Sequence, residues 1–364
     1  MMPDTIVKRI ELALRHVVTH MLEGRGQPVK VETPTAAVPT GRPMRVLFLR
    51  QDRLGDVLVS EPVIRAVREA YPSAQIDILL SPNNIAARHA IGHLVDNVVL
   101  YKKRGLGGMS AIRQIRRNRY DVVVDLMDNP SATSTLFLRS SGIPVRIGID
   151  KANRAVYSHV VPLRDRSSVH IVERIAQLVL PFGIDPATLD LRLRYRLNDA
   201  ERDEATTCLA THGRRTAVFN LTGTDDARRY GAERWVSVIT DFRRRSPDWR
   251  AVVAGAPHDA SMLRYVAEAT GADVLPPTPS FHAFAATVMQ ATLLVTADTS
   301  IVHVAAAASV PQVVLYVFNN PALMPWYPYR SPHVALTGSN NVREIEPAHV
   351  NDAIEALFSC IATT

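Results

Sequence analysis

The sequence predicts an α/β protein made of two doubly wound, parallel-sheet domains in tandem, and three observations carry that expectation. Short aliphatic and β-branched runs such as Arg45-Val-Leu-Phe-Leu49 alternate with helix-length amphipathic segments along most of the chain. That alternation is the pattern of buried strands covered by helices on both faces. It breaks once, over the polar and charge-rich residues 183–214, and then resumes. With 364 residues and 47% hydrophobic side chains, the chain is long enough to bury two full cores.

The elements follow in order. Residues 5–22 place Ile6, Ile10, Leu14, Val17, Val18 and Met21 on one helical stripe, beside Lys8, Arg9 and Arg15. Such a stripe suits packing on the protein itself, on a partner, or on a membrane surface. The Pro-, Thr- and Val-rich stretch 28–43 reads as a linker, so residues 1–42 form an N-terminal amphipathic helix and linker. The first domain spans 43–196. Its expected strands are 45–49, 75–80, 98–101, 121–125 and 145–149, with helices from about Asp56 to Ala70 and near 82–91, 110–118, 131–140 and 169–181. The second domain spans 197–346, with strands 216–221, 250–254, 273–275, 293–296 and 312–317 and helices 232–245, 258–269 and 281–290. An alanine-rich helix of about three turns follows Asp298-Thr-Ser300, and a last helix occupies 347–364.

Composition narrows the function. Net charge is +7 and uneven: residues 1–42 carry +2, 43–196 carry +9, and 197–364 carry −4. A basic first domain favours an anionic partner, but no zinc-finger, RRM or basic-zipper pattern points to nucleic acid. Cys208 and Cys360 are the only cysteines, too few for a disulfide framework or a cysteine metal site. No apolar run approaches a membrane span, and Met1-Met-Pro-Asp-Thr lacks the charged and apolar regions of a signal peptide. A cytoplasmic protein is expected, with peripheral contact on the inner membrane as an option. The first βα turn holds only Gly55, so the GxGxxG dinucleotide fingerprint is missing and a nicotinamide dehydrogenase is disfavoured.

Chemistry concentrates in turns at the expected C-terminal ends of strands, where doubly wound sheets bind ligands. Arg50-Gln-Asp-Arg-Leu-Gly-Asp56 brings Asp56 to a helix N-terminus, where it acts as a cap or as a general base. Asn220-Leu-Thr-Gly-Thr-Asp-Asp-Ala-Arg-Arg-Tyr230 offers Thr222 and Thr224 as donors and Arg228 or Arg229 for a diphosphate. Asp225-Asp226 is adjacent rather than spaced for a metal and reads as a solvated turn. Gly255-Ala-Pro-His-Asp259 is a weaker candidate, with Asp259 set to meet ribose hydroxyls. In Asp298-Thr-Ser-Ile-Val-His303 the N–H groups of Thr299 and Ser300 open a helix, and His303 lies one turn in. Such a start holds phosphate, although Asp298, Thr299 or Ser300 would equally serve as a plain cap.

Arg53-Leu-Gly-Asp56 after the first strand and Asp298-Thr-Ser-Ile-Val-His303 before an alanine-rich helix and Val310-Pro311 resemble the two signatures of glycosyltransferase family 9, the heptosyltransferases of lipopolysaccharide core assembly. The segment ending Arg234-Trp235 matches the family's donor turn between them. The resemblance covers roughly residues 43–358. It implies a GT-B fold, two Rossmann-like domains facing a central cleft, with acceptor on the first and a nucleotide-diphospho sugar on the second. The sugar donor is typically ADP-L-glycero-D-manno-heptose, transferred with inversion, without metal or other cofactor, to an anionic glycolipid.

Matched residue by residue, Asp56 becomes the base, and Thr222, Thr224, Arg228, Arg229, Asp259, Asp298, Thr299, Ser300 and His303 become the donor site. Arg53, Gly55, Asp125, Lys102, Lys103 and Arg104 stand as acceptor-side candidates. The chain departs from the pattern at Tyr230-Gly231, where Trp-Pro is usual, and at Asp128-Asn-Pro-Ser131, where relatives often have a lysine. A sugar-nucleotide epimerase of the same fold, and a nucleotide-sugar- or glycan-binding protein without turnover, are the competing expectations.

Overall fold

A computed structural model describes residues 27–39, 41–102, 107–209 and 215–362. The stripe at 5–22, and Lys103 and Arg104, lie outside the described residues. The chain divides into two compact units, the first ending at Leu191 and the second beginning at Arg192.

The first unit contains strands β1 (Val29–Lys30), β2 (Arg45–Leu49), β3 (Gln75–Leu80), β4 (Asn97–Leu100), β5 (Val122–Asp125), β6 (Val145–Ile149) and β7 (His159–Val161). They form one parallel sheet in the order β1-β7-β6-β5-β2-β3-β4. Parallel sheets need apolar cover on both faces, and the strands supply it: four of five β2 residues and all of β5 are buried. On one side Leu47, Leu49 and Val123 pack with Ile115, Phe137 and Tyr157. From β2 the chain adds β3 and β4 on one flank, then crosses back to lay β5 on the other. The order therefore reverses between β2 and β5, the kind of switch point outside which such sheets bind ligands.

Three expectations change here. The stretch 28–43 is not merely a linker: Val29 and Lys30 pair with His159 and Val160 at the sheet edge. Pro28 is compatible with that place, because proline is tolerated where a strand begins at an edge. The first helix starts at Leu54 rather than Asp56 and runs to Ala70. The helix expected at 82–91 shrinks to a 3₁₀ turn, Ile85–Ala87, and one α turn, Arg88–Ile91. Asn84 accounts for this, since its side chain accepts from Ser81 N and donates to Arg50 O, holding residues 81–84 as a turn.

The second unit contains β8 (Thr216–Asn220), β9 (Arg250–Ala254), β10 (Asp273–Val274), β11 (Leu293–Ala297), β12 (Gln312–Val317) and β13 (His333–Gly338). The order is β10-β9-β8-β11-β12-β13, again all parallel. Its reversal lies between β8 and β11. A helix, Asp199–Leu209, occupies much of what reads as a polar junction, opened by reciprocal bonds between Asn198 and Glu201. It packs on the helix Phe281–Val288. The last helix, Pro347–Ala362, belongs to this unit: Val350, Ile354 and Leu357 are buried in one core with Trp235, Ile239 and Phe242. Among the described residues no helix is long and apolar enough to cross a membrane.

Candidate active site

At the end of β2 the chain turns through Arg50 to Asp56 into the helix Leu54–Ala70. Arg50 is almost fully buried and holds this turn together. Its Nε donates to Asp56 O (2.9 Å) and its Nη1 to Leu126 O (2.9 Å), so one guanidinium ties β2, β5 and the helix start. It also lies 3.3 Å from Asp52 Oδ2 and 3.5 Å from Asp56 Oδ1. Asp56 is the third helical residue, and its Oδ2 accepts from Arg53 N (3.2 Å). Capping thus uses one carboxylate oxygen, and the other faces the buried arginine. Arg53 is exposed at the N-cap and Gly55 sits partly exposed in the first turn.

Asp125, an acceptor-side expectation, is fully buried instead. Its Oδ2 accepts from Lys151 Nζ (2.9 Å) and Tyr157 OH (2.6 Å), and its Oδ1 from Met127 N (3.3 Å). Lys151 also donates to Met127 O. Burial pushes the Lys151 ammonium down while Asp125 opposes that shift, and burial beside Asp125 holds the Tyr157 hydroxyl well above its usual range. A lysine therefore does reach this strand end, but from beyond β6, and it is spent inside the protein. Asp128 is likewise internal, paired with Arg174 at 2.8 Å. Lys102 is exposed just past β4, at the far edge of the sheet.

In the second unit three turns leave the adjacent strands β9, β8 and β11 at the same end of a parallel sheet, and side chains lace them. Thr222 donates its hydroxyl to Asp259 Oδ2 (2.7 Å) and accepts from Ala256 N (2.7 Å), joining the β8 and β9 turns. Both residues, expected at the donor, are occupied with each other. Arg228 joins the β8 and β11 turns: Nε donates to Asp298 Oδ2 (3.0 Å) and Nη1 to Asp225 Oδ2 (2.6 Å). Burial works against its charge, but Asp298 and Asp225 outweigh that and hold the guanidinium firmly cationic. Arg228 keeps about a quarter of its side-chain surface. Thr224 and Arg229 are exposed beside it.

The alanine-rich helix is shorter than expected. It runs Ile301–Ala307, about two turns, and ends before Ser309, which adopts a left-handed φ of 55°. The plain-cap reading is not realised, because Ser300 is already helical in conformation and makes no side-chain cap bond. Thr299 Oγ1 is buried without a hydrogen-bond partner. The N–H groups of Thr299 and Ser300 have no intrahelical acceptor, as at any helix start. His303 is buried, with its ring 6.3 Å from that of Trp326.

Sequence reasoning missed Arg50, Asp52, Asp225 and Lys151. A charge ending an apolar strand, as Arg50 does, is a usable signal, because a buried guanidinium demands carboxylate or carbonyl partners nearby. Lys151 carried none: it lies 26 residues from its partner in sequence.

Residues 109–350 match the profile of glycosyltransferase family 9 (heptosyltransferase). Among characterised proteins, lipopolysaccharide heptosyltransferase 3 of Escherichia coli is 23% identical over 325 residues, 84% of this chain and 92% of the relative. Among solved structures, the family 9 glycosyl transferase of Veillonella parvula DSM 2008 superposes with a TM-score of 0.73 at 21% identity, over 88% of this chain and 99% of that one. The E. coli heptosyltransferase WaaC with ADP gives 0.68 at 21% identity, over 86% and 100%. The chain belongs to glycosyltransferase family 9, the heptosyltransferases, and has their GT-B fold.

Proposed function

We propose that this enzyme transfers a heptose with inversion, without a metal ion, from an ADP-sugar to a hydroxyl of an anionic glycolipid such as a lipopolysaccharide core. The first unit would take the acceptor and the second the donor. The observation that carries this reading is the lacing of the β8 and β11 turns by Arg228 and Asp298, next to a Thr299 hydroxyl with no partner. A diphosphate there would meet a partly exposed cation and two N–H groups, beside a buried hydroxyl without a partner, which is the electrostatic help a departing nucleoside diphosphate needs. The relative solved with ADP adds support for the nucleotide.

In the chemical step Asp56 removes the acceptor proton as the oxygen attacks the anomeric carbon. The bond from that carbon to the diphosphate breaks, and its electron pair leaves on ADP. General-base help of this kind contributes about 10²–10⁴-fold. Arg228 or Arg229 and the Thr299 and Ser300 N–H groups neutralise the leaving group, so the electrostatic task falls to the protein itself. The exposed Arg113, Arg116 and Arg117 of the helix Gly107–Asn118 and the exposed Lys102 give the first unit a basic surface for an anionic acceptor or cytoplasmic membrane face. Attraction of that sort weakens with salt.

The test mixes the protein with ADP-heptose and a truncated core lipid and follows ADP. Release that requires the acceptor supports transfer. Sugar isomerisation without acceptor, or binding without release, would replace it with an epimerase or a binding protein. A thermal shift with UDP sugars but not ADP sugars would overturn the nucleotide assignment.

A further inference from the structure

We propose that Asp52 and Asp56 act as one proton acceptor, two carboxylates gathered on the buried Arg50 guanidinium, with Asp52 setting the basicity of Asp56. The inference rests on the reading of Asp56 as the base. Arg50 lies 3.3 Å from Asp52 and 3.5 Å from Asp56, and it carries only one positive charge for two negative ones. Both carboxylates are largely shielded, with 22% and 14% of their side-chain surfaces exposed. Asp52 Oδ1 is buried with no donor to satisfy it, and both carboxylates converge on the one guanidinium. Two ionised carboxylates held on one cation repel, and a shared proton relieves that repulsion while giving one of them a donor.

Among the described residues, the other charges around the group do not supply the missing cation. Asp125 and Asp128, from the end of β5, act on the same Arg50, and the buried Lys151 is committed to Asp125. Arg53 offers Asp56 its backbone N–H, and its own side chain is exposed. Burial, and then the Asp56 charge, raise Asp52 to about 7 against the pull of Arg50.

The chemical consequence is direct. A lone aspartate capping a helix is a weak base, poorly matched to a proton from a sugar hydroxyl. A pair whose last proton leaves near neutrality is better matched, since a general base works best with a pKa near the working pH. When the acceptor O–H bond breaks, its proton enters the dianionic pair. The acceptor oxygen bonds to the anomeric carbon, and the electron pair of the broken C–O bond leaves with ADP. Below pH 7 the pair already holds a proton and the base is blunted. Asp52 acts through Asp56 and need not touch the substrate.

The experiment is the pH profile of kcat/KM, read as acceptor-dependent ADP release from ADP-heptose, for the full chain and for Asp52→Asn, Asp52→Glu and Asp56→Asn. The intact protein should lose activity as pH falls through about 7. Asp52→Asn should move that limb to lower pH and reduce the plateau on the order of tenfold, while ADP binding stays unchanged. Asp52→Glu should restore the limb. An unchanged limb and plateau in Asp52→Asn, with Asp56→Asn inactive, would overturn the pairing. Full activity in Asp56→Asn would instead overturn Asp56 as the base. If Asp52→Asn does not fold, carboxyl NMR titration of the intact protein decides: a coupled step near neutrality supports the pair, and two independent acidic titrations refute it.

Discussion

Each unit places one arginine across the point where its strand order reverses, and the two arginines are used differently. Arg50 spans β2 and β5 and Arg228 spans the turns after β8 and β11, and each faces two aspartates. Arg50 is sealed, with about 2% of its side-chain surface exposed, whereas Arg228 keeps about 24%. Charge interactions in a buried setting are strong and inflexible, and at a half-open site they are weaker and exchangeable. The sealed arginine therefore gathers two carboxylates on one guanidinium, the arrangement on which the proposed proton sharing rests. The partly open one holds Asp225 and Asp298 in place and keeps some of its surface exposed, as the proposed diphosphate contact requires.

The comparison can be broken most severely at the sealed end. Arg50→Met should cost about 3–5 kcal/mol of stability, since it strands Asp52 and Asp56 without a cation; the urea midpoint reads this. Arg228→Ala should leave that midpoint far less changed. Next in size, Asp56→Asn should lower turnover by about 10²–10⁴-fold with ADP affinity retained, and unchanged turnover would remove Asp56 from the mechanism.

Arg228→Ala should weaken ADP binding by about 1.5–3 kcal/mol, the range for hydrogen bonds to charged groups, with Arg229→Ala a smaller loss by calorimetry. If neither matters, the second arginine is a structural tie like the first. Thr222→Val strips partners from Asp259 and from Ala256 N–H, and should cost about 1–3 kcal/mol of stability. Thr299→Val removes a hydroxyl with no internal partner, so stability should hold while ADP affinity falls.

The smallest expected effect is the pH dependence of stability. Asp52 is raised above the ordinary aspartate range, to about 7, so its contribution is complete below the unfolded-state pKa near 4 and is lost as pH climbs through about 7. Asp52→Asn should flatten the melting temperature across that window. A wild-type melting temperature that rises from pH 4 to 7 for this group, measured as the difference from Asp52→Asn, would contradict the raised value.

Much of the architecture was readable from local pattern. The runs at 45–49, 75–80 and 145–149 became strands with the same bounds, because strands buried on both faces must be mostly apolar. The weak elements escaped. β1 and β13 are edge strands with little burial, and the mostly exposed helix Asp199–Leu209 carries a faint apolar stripe. The site was half legible. Asp56, Arg228 and Asp298 could be singled out, but their partners could not, since Arg228 and Asp298 lie 70 residues apart. Nor could local pattern tell that Asp125 would be buried beneath Lys151 and Tyr157, or that Thr222 and Asp259 would bond each other.

By itself, then, the sequence determined the parallel α/β units, the candidate site turns and the family, all properties of residues close together in the chain. Only the tertiary structure decided which charges are sealed and which stay open. Burial depends on what distant segments bring to the same place, and burial is what makes Arg50 a permanent tie and Arg228 an exchangeable one.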